Sequence, residues 1–167
     1  VLSDSARGGR EVPYKIYYPV AHGLTHLPVV VWSHGLGGSA DGAAFLGRYV
    51  ASHGYVVIHV THSGTDTSLW EGKPGHPWDV IRAAKISREA IWERYRDIPF
   101  LLDSLPEIAR QHPEIAPHMD PATLGISGHS LGALTAQIMA GQGLDAGWPA
   151  PAFPEPRFRA AIAYSPI

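Results

Sequence analysis

Residues 123–137 read TLGISGHSLGALTAQ. Residues 123–127 predict a short buried strand, and residues 131–141 predict a helix. Between them, Gly128 and Gly132 stand two positions before and after Ser130. Glycine is needed at such positions when a tight turn crowds the backbone and the residue at its tip takes an unfavourable conformation. The stretch therefore predicts a strand, a sharp turn with Ser130 at its tip, and a helix.

Predicted strands and helices alternate on both sides of this turn. Two of the strands are continuous runs rich in β-branched residues, which is typical of strands buried on both faces of a parallel sheet. Such alternation predicts an α/β fold, with a mostly parallel sheet and flanking helices, as a single domain over residues 1–167. The predicted strands are residues 11–19, 29–32, 55–60, 123–127 and 160–165, and the predicted helices are 39–54, 81–110 and 131–141.

Two details of this pattern concern the segments between the strands. Pro99 has no backbone N–H, so we expect the helix over residues 81–110 to break, or to start afresh, near residues 97–99. The polar residues 61–79 predict an exposed loop. Asp97 and Asp103 are expected to be capping or solvent-facing charges on the long helix.

A second glycine-rich turn, HGLGG at residues 34–38, follows the predicted strand 29–32. Parallel strands end at one edge of the sheet, so this turn and the Ser130 turn are expected to meet there. Attack of a serine on an ester carbonyl creates an oxyanion, which two inward-pointing backbone N–H groups would stabilise. The candidate donors are the N–H groups of Leu36 and Leu131. Both motifs also suit ordinary glycine-bounded turns, and G-x-S-x-G arises by chance in about one such chain in eight.

Three segments resemble the α/β-hydrolase superfamily, in its platelet-activating-factor acetylhydrolase-like and dienelactone-hydrolase-like branch of serine esterases. They read WSHGLGGSADGAAFLGRYVASHGYVVIHVTHSGTD, RYRDIPFLLDSL and LGISGHSLGALTAQ, and the similarity runs from about residue 12 to residue 165. The resemblance implies a serine hydrolase that cleaves carboxylic esters through an acyl-enzyme on Ser130. It also implies that Leu36 and Leu131 are the oxyanion donors, and that the two turns are supported by His34, Gly35, Gly37, Gly128, His129 and Gly132.

The chain departs from this pattern in two respects. It contains no cysteine, whereas dienelactone hydrolases use a cysteine nucleophile. In acetylhydrolase relatives the strand after the nucleophile helix ends in the triad aspartate, but here that strand ends AYSP, with Ser165 at that place. The resemblance therefore leaves the triad acid unassigned.

The base and the acid of the triad have few candidates within the chain. No histidine follows His129, and the acidic residues after Ser130 are Asp145 and Glu155. His59 and His62 are alternative bases, or else hydrogen-bonded histidines at the end of a strand. We therefore expect the acid and the histidine in a C-terminal remainder of the fold outside this chain, which alone should have little esterase turnover.

Composition excludes several classes of partner. A net charge of −2 without a basic run argues against nucleic acid, and no apolar run approaches the length of a membrane span. The absence of cysteine excludes disulfides and thiolate metal sites. No cofactor or metal is predicted, since a grouping of His59, His62, Asp66 and His76 matches no strong ligand spacing. A soluble protein is expected, in the cytoplasm or exported.

Other interpretations of the function remain open. Short-chain acyl esters are the expected small-molecule substrates, by resemblance. A polyester- or lipid-directed hydrolase is one alternative, and a catalytically silent binding module of the same fold is another. Trp70, Trp78 and Trp92 either wall the substrate pocket or belong to the core.

Overall fold

The computed structural model describes residues 1–20, 23–143 and 153–166. Seven strands and five α-helices lie within these ranges, with short 3₁₀ turns at Ser5–Arg7, Thr67–Leu69 and Ala116–His118. The strands are β1 (Leu2–Asp4), β2 (Arg10–Val12), β3 (Tyr14–Tyr17), β4 (Leu27–Ser33), β5 (Val56–Val60), β6 (Met119–His129) and β7 (Phe158–Tyr164). The helices are α1 (Ala44–Ser52), α2 (Pro77–Ala83), α3 (Arg88–Asp103), α4 (Leu105–Gln111) and α5 (Leu131–Met139).

Five strands form the central sheet in the order β3-β5-β4-β6-β7. Strand β3 is antiparallel to β5, and the remaining pairs are parallel. Strands β1 and β2 form a separate antiparallel pair. The predicted α/β fold with a mostly parallel sheet is therefore confirmed.

Pairing between β4 and β6 brings the two glycine-rich turns together. Ser33, the last residue of β4, is paired with Gly128 near the end of β6. On the other side of β6, His129 is paired with Tyr164 of β7. The carboxyl ends of three neighbouring strands consequently meet around the Ser130 turn.

The sheet separates two apolar layers because side chains alternate along each strand. Val31 faces the larger core with α3, α4 and α5, whereas the next residue, Trp32, packs with Val57 and Ala51 under α1. Strand β5 is buried along its whole length, as its continuous apolar run predicts.

The expected helix break near residues 97–99 is wrong. Pro99 lies inside α3, and the chain is interrupted instead at residues 84–87 and at Ser104. A proline in a helix interior costs about 3 kcal/mol. Burial of Ile98, Leu101 and Leu102 on either side of it offsets that cost, at about 1.5–3 kcal/mol for each side chain.

Two other boundaries differ from the expectation. The helix expected over residues 39–54 begins only at Ala44, because Ala43 has a left-handed backbone conformation with φ of 54°. The loop expected over residues 61–79 contains a 3₁₀ turn and the start of α2 at Pro77. No helix among the described residues is long and apolar enough to cross a membrane.

Candidate active site

Ser130 has a strained backbone conformation between β6 and α5. Its φ is 54° and its ψ is −119°, a region that residues with a side chain rarely occupy. Its amide donates to the carbonyl oxygen of Tyr164 at 3.0 Å, which ties the turn to β7. The side chain is half-buried, and its hydroxyl makes no hydrogen bond with the described residues. The hydroxyl is therefore available at the strand ends.

The turn requires glycine at Gly128 and Gly132. A Cβ atom on Gly128 would overlap the backbone of Gly132 and lie 2.8 Å from the carbonyl oxygen of Ser33. A Cβ atom on Gly132 would overlap the Ser33 carbonyl group and lie 2.8 Å from that of His34. These contacts are backbone to backbone, so neither neighbour can move aside easily. The Ser130 turn is thus packed directly on the end of β4.

The 34–38 turn lies against Ser130. A Cβ atom on Gly35 would be 3.5 Å from the Cβ atom of Ser130. Within the turn, the Gly37 amide donates to the carbonyl oxygen of Thr65 at 2.8 Å, and the Gly38 amide donates to that of Gly35 at 3.1 Å.

Two amides in the turns that meet at Ser130 have no acceptor among the described residues. One belongs to Leu36, in the middle of the 34–38 turn, and the other to Leu131, the first residue of α5. The first N–H groups of any helix have no acceptor within the helix, and the Leu131 amide is unpaired for this reason. In the 34–38 turn the Gly37 and Gly38 amides are bonded, whereas the Leu36 amide has no acceptor within the described residues. The amides of Leu36 and Leu131, the two residues singled out from sequence, are thus unpaired within the described residues, as is the amide of Gly35.

The three tryptophans considered for the pocket lie in different surroundings. Trp70 donates its indole N–H to the carbonyl oxygen of Gly37 at 2.7 Å and so walls the 34–38 turn. Trp78 is 61% exposed and is not part of the core. Trp92 packs against Phe153, with ring centroids 5.4 Å apart. Of the three, Trp70 is in contact with the candidate site.

A buried polar cluster beneath the two turns was not predicted. We call it the Arg94 cluster. Arg94 and Asp97 of α3 are both completely buried, so the expectation of a capping or solvent-facing Asp97 is wrong. Asp103 is solvent-facing as expected, with its carboxylate 2.6 Å from the Arg157 guanidinium. The members of the Arg94 cluster are Ser33, His62, Thr65, Arg94, Asp97 and Thr135.

An acid–histidine–serine chain does exist in this cluster, but it ends on Ser33 rather than on Ser130. Asp97 accepts from Nδ1 of His62 at 3.0 Å, and Nε2 of His62 lies 3.0 Å from Oγ of Ser33. Burial and the positive charge of Arg94 lower the pKa of His62, and they outweigh the opposite effect of Asp97. The resulting pKa is about 4. His62 is therefore a neutral, fully hydrogen-bonded residue without solvent contact, and it is engaged away from Ser130.

Asp97 is anchored by Arg10 of β2 and by Arg7 of the 3₁₀ turn that precedes it. Arg10 contacts both of its carboxylate oxygens, at 2.8 and 2.9 Å, and Arg7 adds a bond of 2.8 Å. Despite burial, the bonds from Arg10 and His62 lower the pKa of Asp97 to about 2. The carboxylate remains charged at neutral pH.

The other histidines considered in the sequence are also engaged. Nδ1 of His59 donates to the carbonyl oxygen of Gly42 at 3.1 Å, and burial lowers its pKa to about 4. Nδ1 of His34 donates to the carbonyl oxygen of Gly35 at 2.6 Å, and burial holds its pKa well below the usual range. His129 is the exception, since its exposed imidazole beside Ser130 forms no hydrogen bond with the described residues.

The acidic residues after Ser130 provide no triad acid within the described part of the chain. Glu155 is buried and bonded to Arg157 at 2.8 and 2.7 Å, and these bonds lower its pKa. Asp145 lies outside the described residues. Ser165 follows β7 with φ of 47°. Among residues 1–20, 23–143 and 153–166, no three His, Asp or Glu side chains come together to hold a metal.

One sequence signal could have revealed the Arg94 cluster. Arg94 falls on the apolar stripe of α3 and α4 that continues through Ile98, Leu101 and Leu105, at spacings of four, three and four residues. A charged residue in such a stripe points into the core, where it must be fully hydrogen-bonded. Which acceptors it meets is set by segments far away in the chain.

Residues 1–72, less than half of the 167-residue chain, match the family model of platelet-activating factor acetylhydrolase, isoform II. No curated protein matches the chain. Several solved structures have a similar backbone at low sequence identity.

A protein from Klebsiella pneumoniae assigned as a dienelactone hydrolase is similar over 95% of this chain and 55% of its own, with a TM-score of 0.63 and 18% identity. Esterase 2 of Thermogutta terrifontis, phosphonylated by cyclosarin, is similar over 95% of this chain and 53% of its own, with a TM-score of 0.55 and 19% identity. Acylaminoacyl peptidase of Pyrococcus horikoshii is similar over 93% of this chain and 21% of its own, with a TM-score of 0.57 and 20% identity. The chain spans about half the length of the first two.

Proposed function

Because the chain has the α/β-hydrolase fold, as the sequence predicted, we propose that it carries the nucleophile and the oxyanion hole of a serine hydrolase that cleaves carboxylic esters. The observation that carries this proposal is the juxtaposition at the strand ends. Ser130 is held at a positive φ with a free hydroxyl, and the unpaired Leu36 and Leu131 amides lie in the two turns that meet there. A strained residue that costs about 1–3 kcal/mol is retained where the strain serves a function.

The proposed reaction is acyl transfer in two steps. Oγ of Ser130 bonds to the ester carbonyl carbon, and its proton passes to a histidine base. The carbonyl oxygen becomes an oxyanion, which accepts hydrogen bonds from the Leu36 and Leu131 amides. The bond from the carbonyl carbon to the alcohol oxygen then breaks, and the alcohol leaves with the proton. Water hydrolyses the acyl-enzyme in the same manner.

We place the histidine and the acid in a C-terminal remainder of the same fold, outside this chain. His34, His59 and His62 are each committed to other partners. Strand β7 also leaves Ile162 and Tyr164 exposed, at 53% and 41%. Further elements of the fold would cover these side chains and the apolar cleft of about 350 Å³ beside them.

A second cleft is a candidate binding site for a small acyl or alcohol group of the substrate. It lies beside the 34–38 turn and has a volume of about 470 Å³, within the usual range of ligand pockets. Its walls are mostly apolar and include Trp32, Gly35, Phe45, His129 and Tyr164. We propose short-chain acyl esters as the substrate class.

Labelling with a fluorophosphonate probe tests the proposal on the full-length protein. Mass spectrometry should find the adduct on Ser130, and Ser130→Ala should abolish it. Ser165→Ala, at the end of the neighbouring strand, is the matched control and should label as the parent does. Residues 1–167 alone should label far more slowly than the full-length protein. A full-length protein that binds esters but neither labels nor turns them over would be a silent binding module instead.

A series of substrates distinguishes a short-chain esterase from a lipid- or polyester-directed hydrolase. Short 4-nitrophenyl esters, long-chain esters and an insoluble polyester are compared at equal enzyme concentration. A preference for the short esters fits the proposal. Faster release from the long-chain or polymeric substrates would identify a lipid- or polyester-directed hydrolase.

A further inference from the structure

We propose that Arg94 is a positioning residue that aligns both candidate oxyanion donors, the Leu36 and Leu131 amides. The inference rests on the proposed function of Ser130. Arg94 does not touch the substrate in this scheme. It acts through the backbone segments that its guanidinium holds.

One arm of the guanidinium holds the start of the 34–38 turn. Nη2 donates to Oγ of Ser33 at 2.8 Å and to the carbonyl oxygen of His34. Ser33 ends β4, and the His34 carbonyl belongs to the peptide that leads into the turn. The orientation of this peptide sets the direction in which the Leu36 amide, two residues later, can point.

A second arm holds the start of α5. Nε of Arg94 donates to Oγ1 of Thr135 at 2.9 Å, and the Thr135 hydroxyl donates in turn to the carbonyl oxygen of Leu131 at 3.1 Å. Thr135 is completely buried, so water cannot replace either bond. The first turn of α5, which carries the Leu131 amide, is thereby linked to the same guanidinium.

A third arm of the guanidinium holds Thr65, the residue that accepts the Gly37 amide. Nη1 of Arg94 donates to Oγ1 of Thr65 at 2.9 Å, and the carbonyl oxygen of Thr65 accepts the Gly37 amide at 2.8 Å. The loop residue that engages Gly37 is therefore fixed by Arg94 as well. The Leu36 amide next to Gly37 stays unpaired among the described residues.

The proton positions in the cluster follow from the chemistry of its members. A guanidinium can only donate, so Ser33 accepts from Arg94 and gives its own proton to Nε2 of His62. His62 then carries its proton on Nδ1 and donates it to Asp97. His62 also donates its backbone N–H to Nε2 of His34 at 3.0 Å. Each of these protons thus has one defined acceptor.

Stability alone is a weak reason for such a cluster. A buried charge is expensive, and well-packed apolar side chains often replace buried ion networks without loss of stability. The bonds of Arg94, by contrast, end on the residues that carry or brace the two turns. That distribution indicates positioning of the site.

Isosteric variants of Thr135 test the inference in the full-length protein. Thr135→Val keeps the shape but removes the link between Arg94 and the Leu131 carbonyl, and Thr135→Ser keeps the hydroxyl. Arg94→Lys removes the fork but keeps the charge, and Arg96→Lys on the exposed side of α3 is its matched control. Hydrolysis of 4-nitrophenyl acetate is measured per active site, which fluorophosphonate titration counts.

We expect kcat per active site to fall about 10- to 100-fold in Thr135→Val and in Arg94→Lys, with KM within about threefold. A displaced donor stabilises the transition state less well, whereas binding of the substrate changes little. Thr135→Ser and Arg96→Lys should retain kcat within about threefold. Unchanged kcat in folded Thr135→Val and Arg94→Lys would overturn the positioning role and leave the proposed function standing. A parent protein that neither labels on Ser130 nor hydrolyses the ester would overturn both.

Discussion

His62 donates its Nδ1 proton to Asp97 across 3.0 Å, and both side chains are completely buried. The pair has the geometry of a catalytic acid and base, yet its serine is Ser33, which is buried as well. Aspartate, histidine and serine can perform catalysis at a solvent-accessible edge of a sheet. Here they belong to the buried Arg94 cluster beneath the two glycine-rich turns.

Stability should fall on acidification below pH 6.5. The pKa of His59 and His62 is lowered from 6.5 to about 4, so between these values the unfolded chain binds protons that the folded chain excludes. The free energy of unfolding is therefore complete above pH 6.5 and declines toward pH 4, by up to about 1.4 kcal/mol per pH unit for each histidine. Urea unfolding at a series of pH values measures this slope.

An uncharged substitute for one histidine isolates its share of the slope. His59→Asn keeps a donor for the Gly42 carbonyl and cannot be protonated, so it should remove one histidine's contribution between pH 6.5 and about 4. The same exchange at the exposed His53 is the control. An unaltered slope in His59→Asn would contradict the assignment.

Asp97→Asn should be strongly destabilising. It leaves Arg7, Arg10 and His62 without their shared carboxylate, and loss of one partner of a buried charge network costs about 3–5 kcal/mol. Asp103→Asn, on the same helix, removes an exposed ion pair and should cost about 0–1 kcal/mol. Denaturant midpoints of the two variants give the comparison, and equal midpoints would refute it.

Ser130→Gly should be more stable than Ser130→Ala. Alanine keeps the Cβ atom that makes φ of 54° unfavourable, whereas glycine adopts this conformation readily. Relief of strain worth about 1–3 kcal/mol exceeds the entropic cost of glycine, about 0.5–1 kcal/mol. Thermal unfolding of the two variants is the measurement. Both lack the hydroxyl, so a lower midpoint for glycine would show that the turn is not strained.

Gly128→Ala should prevent the native turn, whereas Gly125→Ala on the same strand should be tolerated. A Cβ atom at Gly128 would overlap the backbone of Gly132, but one at Gly125 would lie 3.6 Å from the nearest atom, an ordinary contact. We expect a loss of more than about 3 kcal/mol for the former and less than about 1 kcal/mol for the latter. Circular dichroism melts measure both, and similar melting temperatures would exclude the predicted crowding.

The local sequence was sufficient for the alternation of strands and helices and for the two glycine-rich turns. Apolar runs such as residues 56–60 have the length and residue types of buried strands, and glycines at fixed offsets from Ser130 mark a crowded turn. The break expected at Pro99 failed because a proline penalty is local, whereas the burial that offsets it comes from packing against the sheet.

Tertiary structure alone decided the partners of the charged and titratable side chains. Arg94 meets Ser33 and Thr135, which are 61 and 41 residues away in the sequence, because strand order places β4 and α5 beside α3. Composition and periodicity report which residues face inward, since these depend on neighbours a few positions away. Hydrogen-bond partners depend on which distant segments the sheet brings together, and a single sequence does not carry that information locally.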